Sequence, residues 1–103
     1  MTSINDLTIE LDELFNQKST TPTQIYLRHN RLVIDYNKNK LTFTLIPEIE
    51  LVSSKYSFFQ RRLHLLVFKY KSLIKQVLFD QINAKQKELQ YYVQTQQDLI
   101  YSF

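Results

Sequence analysis

The 103-residue chain contains no glycine, no cysteine and no tryptophan, and only two prolines. Each absence closes a class of function. Without cysteine there is no disulfide framework, no thiolate zinc site and no thiol nucleophile. Without glycine there is no phosphate-cradling loop, because such loops need backbone that approaches its ligand without a Cβ. The G-x-S-x-G elbow of many serine hydrolases is excluded on the same ground. A long hydrophobic run is missing too. The most apolar window, Leu63 to Phe79, is broken by Lys69, Lys71 and Lys75 and does not read as a membrane span. The N-terminus opens acidic and lacks an apolar signal core, so the expectation is a soluble cytoplasmic protein.

Hydrophobic residues make up 44% of the chain, too many for wholesale disorder, and 12.5 kDa leaves room for one sizeable core. The expectation is a single domain over residues 1–103. The formal net charge is +3, and its distribution says more than its size. Residues 1–23 carry Asp6, Glu10, Asp12 and Glu13 against Lys18 alone. Residues 55–75 carry Lys55, Arg61, Arg62, Lys69, Lys71 and Lys75 with no acid. The excess positive charge is therefore confined to one segment.

Ile4, Leu7, Leu11 and Leu14 recur at spacings of three and four, with Phe15 beside them and Asp6, Glu10 and Glu13 off the stripe. This predicts an amphipathic helix over 4–17, capped by Ser3 with Asp6 as its box-like partner. Residues 19–23 form a linker in which Pro22 stops the helix. Residues 24–52 then read as strands. Leu32, Ile34 and Tyr36 alternate with Arg31, Val33 and Asp35; Leu41, Phe43 and Leu45 alternate with Lys40, Thr42 and Thr44; Ile49 and Leu51 alternate with Glu48 and Glu50. A period of two marks a sheet with one buried face. His29-Asn30 and Asn37-Lys38-Asn39 are the turns, since asparagine tolerates the left-handed conformation that glycine usually supplies. Pro47 marks an edge, a bulge or a corner.

Two readings compete for the next stretch. In the favoured one, Ser57 caps a helix with Gln60 at the third position, and Phe59, Leu63, Leu66, Tyr70, Leu73 and Val77 follow at 4, 3, 4, 3, 4. In the other, Leu63 to Tyr70 is a last strand and Ser72 caps the C-terminal helix. Residues 73–101 are helical in both and rich in good helix formers; either a break near Asp80 is followed by a restart at Asn83 with Gln86, or the stretch is one unusually long helix. The fold class predicted is α+β: an N-terminal helix, an antiparallel meander of three or four strands, and one or two long C-terminal helices packed on the sheet. Leu32, Ile34, Leu41, Phe43, Leu45, Ile49, Leu51, Leu63, Leu66, Leu73 and Val77 are the expected core. The element order resembles that of double-stranded RNA-binding domains in order alone; their glycines are missing, and no function is carried over.

No motif proposes catalysis. Glu48 and Glu50 lie two apart on a strand face, where solvated carboxylates are commoner than a working pair. His29 and His64 have no partner at metal-ligand spacing. The expectation is no enzyme, no metal and no cofactor. Two binding surfaces remain. On a helix over 57–80, Phe68 and Phe79 fall opposite the heptad stripe, and the tail adds Tyr91, Tyr92, Leu99, Tyr101 and Phe103. Side chains of this size are costly to leave wet, so they either dock within the chain or cover a partner. They are the candidate partner-binding residues of a non-enzymatic protein-binding module: a small homodimeric regulator, adaptor or inhibitor of a larger assembly. The alternative is nucleic-acid binding through Lys55, Arg61, Arg62, Lys69, Lys71 and Lys75. There the interleaved rings would stack on bases while the cations met phosphates.

Overall fold

A computed structural model describes residues 2–44, 50–51, 57–85 and 90–103, with the side chains of 50–51, 57–59 and 90–92 excepted. Helix α1 spans Ile4–Phe15. It begins where the spacing predicts, on a complete capping box: Ser3 Oγ accepts from the Asp6 N–H at 3.2 Å, and Asp6 Oδ2 accepts from the Ser3 N–H at 3.0 Å. It ends two residues early because Asn16 turns left-handed, at φ 51°, and lets its own N–H and that of Gln17 reach Glu13 O and Asp12 O.

The sheet is an antiparallel meander in the order β1 (Gln24–Arg28), β2 (Arg31–Tyr36), β3 (Asn39–Thr44) and a two-residue β4 (Glu50–Leu51). Arg28 pairs with Arg31 and Tyr36 with Asn39, so each hairpin turns on two residues. His29, Asn30, Asn37 and Lys38 all have positive φ, the signature of the turn whose twist suits a hairpin. With Asn16 they make five left-handed positions among the described residues of a chain without glycine. Three are filled by asparagine, whose short amide is best tolerated there.

The registers stack Ile25, Ile34 and Leu41 in one row and Leu27, Leu32 and Phe43 in the next. Ile25, Leu32, Ile34, Tyr36, Leu41 and Phe43 are buried on this face, as the alternation predicts for β2 and β3. Val33 departs from it. It points to the opposite face yet is also buried, flanked across the ladder by Tyr26 and Thr42 at the middle of an interior strand. Leu45, Pro47, Glu48 and Ile49 lie outside the described residues, as do the side chains of Glu50 and Leu51.

The competing readings of 61–70 resolve as helix. α2 covers Ser57–Lys69, α3 Lys71–Lys85 and α4 Gln90–Ser102. The interruption falls at Tyr70 and not near Asp80. α3 runs through Asp80 to Lys85 without a stop, in a stretch that has neither proline nor glycine. At Tyr70 the hydrogen bonds are kept: its N–H donates to Leu66 O at 3.1 Å and its carbonyl accepts from Ile74 N–H at 3.0 Å.

The buried stripe also differs from the heptad reading. Leu63, Val67, Tyr70, Ile74, Leu78 and Ile82 are buried, whereas Leu66, Leu73 and Val77 are only half-buried. The reason is that α2 and α3 meet α1 as well as the sheet. Leu66 borders α1 beside Glu10 and Leu14, and Leu73 and Val77 border it beside Ile4. The apolar arc is therefore wider than one stripe. α4 contributes Val93, Ile100 and Phe103, so all four described helices and the sheet share one buried cluster.

Polar contacts fasten α1 and the linker to the sheet. Asp12 Oδ1 accepts from the Tyr36 hydroxyl and from the Ser19 N–H, and Asn37 Oδ1 accepts from the Thr20 N–H and hydroxyl. Phe15 stacks on the Tyr36 ring at 5.5 Å. On the outer strand β1, Gln81 of α3 donates to Ile25 O at 2.6 Å and so occupies one of the edge's outward carbonyls.

Lys38 is the left-handed residue least suited to its place. Lys38→Gly would complete the Asn-Gly pair preferred in this turn and should stabilise the chain by about 0.5–1 kcal/mol, read as a higher urea midpoint. An unchanged or lower midpoint would contradict this account of the turn.

Candidate interaction surfaces

Four large apolar side chains among the described residues stand mostly in solvent: Ile9 at 56% exposure, Leu65 at 64%, Phe68 at 68% and Tyr101 at 74%. Their placement follows from the helix faces. Ile9 lies off the Ile4–Leu7–Leu11–Leu14 stripe that binds α1 to the core, and Leu65 and Phe68 lie off the buried stripe of α2. Three of the four stand on α1 and α2.

Between those two helices runs a groove of about 320 Å³, lined by Glu10, Glu13 and Leu14 from α1 and by Arg62, Leu65, Leu66 and Lys69 from α2. Its walls carry opposite charge. Lys69 Nζ meets Glu10 Oε1 at 2.9 Å. The Tyr70 hydroxyl first and the Lys69 ammonium second hold the Glu10 carboxyl below the ordinary carboxylate range, against a smaller opposing effect of burial. Glu10 Oε2 is buried and has no hydrogen-bond partner among the described residues. Glu13 and Arg62 are exposed at the groove, with no salt bridge to either among the described residues.

The basic segment is partly spent within the chain. Lys69 is paired with Glu10. Lys71 Nζ lies 5.7 Å from both the Phe68 and the Phe103 ring centres, and Lys75 Nζ lies 5.9 Å from that of Phe103. Arg61 and Arg62 remain exposed on α2. Lys55 lies outside the described residues.

The tail residues divide. Phe103 is buried beneath the two lysines, and Leu99 and Phe79 are half-buried against the core. Tyr101 rests on Phe79, with ring centres 5.3 Å apart, but is otherwise exposed. The Tyr91 and Tyr92 side chains lie outside the described residues. Phe68 and Tyr101 are thus the candidate partner-binding residues that are plainly presented to solvent. Sequence reasoning missed Ile9, Leu65 and Glu13. The signal available was an apolar residue standing outside its own helix's stripe, and Ile9 and Leu65 both met it.

A second, smaller cavity of about 50 Å³ lies among β1, α3 and α4, lined in part by Leu27, Leu78, Ile82, Val93 and Gln96. Gln96 is buried. Its Nε2 donates to Asn30 Oδ1 at 3.0 Å, while its Oε1 has no partner among the described residues. No group of three or more histidine, aspartate or glutamate side chains among the described residues is placed to hold a metal ion. No helix among them is long and apolar enough to cross a membrane. The fold and surfaces define an α+β protein with a charged, partly apolar helical face. No protein-family model, no curated protein and no solved structure matches the chain.

Two tyrosines give the structure a measurable pH response. Burial, reinforced by Asp12 for Tyr36 and by Glu10 for Tyr70, pushes both hydroxyls up to about 12. The folded state favours their protonated form, so their contribution is fully present below the unfolded value of about 10 and is lost as pH rises from there toward 12. Unfolding should become easier across that window, and Tyr36→Phe or Tyr70→Phe should each flatten the slope in a denaturant series. Equal slopes in parent and variants would remove this assignment.

Proposed function

We propose that the chain is a non-enzymatic protein-binding module, a small homodimeric regulator, adaptor or inhibitor of a larger protein assembly. The observation that carries this reading is the exposure of Ile9, Leu65, Phe68 and Tyr101 on the helical layer while neighbouring apolar residues are buried within the chain. Rings and leucines rimmed by charge are the usual make-up of a contact patch. A module of this size acts by occupying a surface, which is how regulators and inhibitors work. Light scattering over a concentration series should show a mass rising from 12.5 kDa to twice that value, and Phe68→Ala should shift the midpoint to higher concentration. A mass that stays at the monomer value at every concentration would refute the homodimer.

A second reading, nucleic-acid binding through Lys55, Arg61, Arg62, Lys69, Lys71 and Lys75, is favoured by one arrangement. The exposed Phe68 ring has the Lys71 ammonium beside it, a stacking surface next to a phosphate-binding charge. Replacing Arg61, Arg62 and Lys75 with glutamate should abolish binding to single-stranded pools. A fourfold rise in salt should weaken binding by about 20-fold if roughly three phosphates are met. Binding insensitive to salt, or absent from every DNA and RNA pool, would eliminate this reading.

A further inference from the structure

The α1/α2 groove is a face on which acid and base lie side by side. α1 runs antiparallel to the α2–α3 pair: its start borders Leu73 and Val77, Glu10 meets Lys69, and Glu13 and Leu14 share the groove with Arg62 and Leu65. Glu13 and Arg62 therefore line opposite walls of this groove, both exposed. Leu65 adds apolar surface to the groove itself, and Ile9, one turn before Glu13, stands exposed on α1. A polyanion would meet Glu10 and Glu13 there as well as the cations. A wholly acidic or wholly basic partner would be repelled by one wall. A surface that carries both signs in parallel strips suits a partner carrying the same strips in reverse, and a second copy of the chain supplies them.

Symmetry decides how the two copies meet. A two-fold axis lying in the contact plane across the helices would set α1 on α1 and acid on acid. A two-fold axis parallel to the helices sets each α1 on the partner's α2, and so lays the acidic wall that carries Glu13 on the basic wall that carries Arg62. We propose that this α1/α2 face, with Glu13, Arg62, Ile9 and Leu65, is the contact between two copies of the chain. The proposal rests on the protein-binding reading above and gives its homodimer a specific surface.

The test is charge complementation between chains. Glu13→Arg alone makes both inter-subunit pairs cationic, and Arg62→Glu alone makes both anionic, so each variant should dimerise at least about tenfold more weakly than the parent. An equimolar mixture of E13R with R62E restores both pairs, because each chain offers what the other lacks, and should recover the dimer mass in light scattering or sedimentation. Repulsion within one chain cannot produce that recovery, since it persists in both variants. Where a reversal disturbs folding by circular dichroism, Leu65→Gln gives the same reading without a charge change and should also weaken the dimer about tenfold. Variants that dimerise like the parent, or folded variants whose mixture stays monomeric, would overturn this contact and leave the protein-binding reading standing. A parent that is monomeric at every concentration would overturn the contact and the homodimer together.

Discussion

The molecule depends on covering one face of a small antiparallel sheet. Six side chains from its first three strands point to that face and are buried, and the four described helices all contribute to the cluster that hides them. That demand shapes the helices. α1 supplies a narrow stripe and keeps a polar back, whereas α2 and α3 touch both the sheet and α1 and are apolar over a wider arc. What remains apolar after the sheet is covered is then set by geometry. Ile9, Leu65 and Phe68 are the side chains left pointing away from every internal neighbour that needs them.

Charge follows the same division of labour. The acids of the N-terminal third stand on α1, Arg61, Arg62, Lys69, Lys71 and Lys75 stand on α2 and α3, and antiparallel packing brings α1 alongside α2. One contact, Glu10 with Lys69, closes the pair within the chain; Glu13 and Arg62 keep theirs open to solvent. Asp12 is used differently. Half-buried, it accepts from Tyr36 and from the linker backbone and locks the exit of α1 against the second hairpin. Acids a few residues apart on one helix thus serve a core anchor, a surface ion pair and a free charge, according to which side of the helix each occupies.

Much of the fold was legible because its signals are local. The Ser3–Asp6 box, the turn at 29–30 and most of the alternation of β2 and β3 depend on residues a few positions apart and stand where the sequence puts them. The second turn is one residue shorter than expected, because Asn39 pairs with Tyr36 as the first residue of β3. The misplacements share one physical cause. Which arc of α2 and α3 is packed depends on what lies on either side of them, and a heptad pattern assumes a single neighbour. Leu66, Leu73 and Val77 were expected in the core; they border α1 instead, while Ile74, Leu78 and Ile82 take the central place. Val33 was expected outside and is buried, because a strand's interior position is a matter of its neighbours and not of its own period. The exposure of the nominated side chains was half legible. Phe68 and Tyr101 were nominated and are exposed, but Phe103 was nominated and is buried under Lys71 and Lys75. Size and polarity do not reveal which way a tail residue faces.

Gln81 has a wider consequence than its single hydrogen bond suggests. An uncovered outer strand is a template on which further chains can add without limit, since each new arrival presents the same unpaired groups. By lending its amide to Ile25 O, α3 removes one rung of that template and holds its own bulk beside it. In a chain rich in isoleucine, tyrosine and phenylalanine, with no glycine to loosen its strands, that contact leaves one fewer rung open to an added strand.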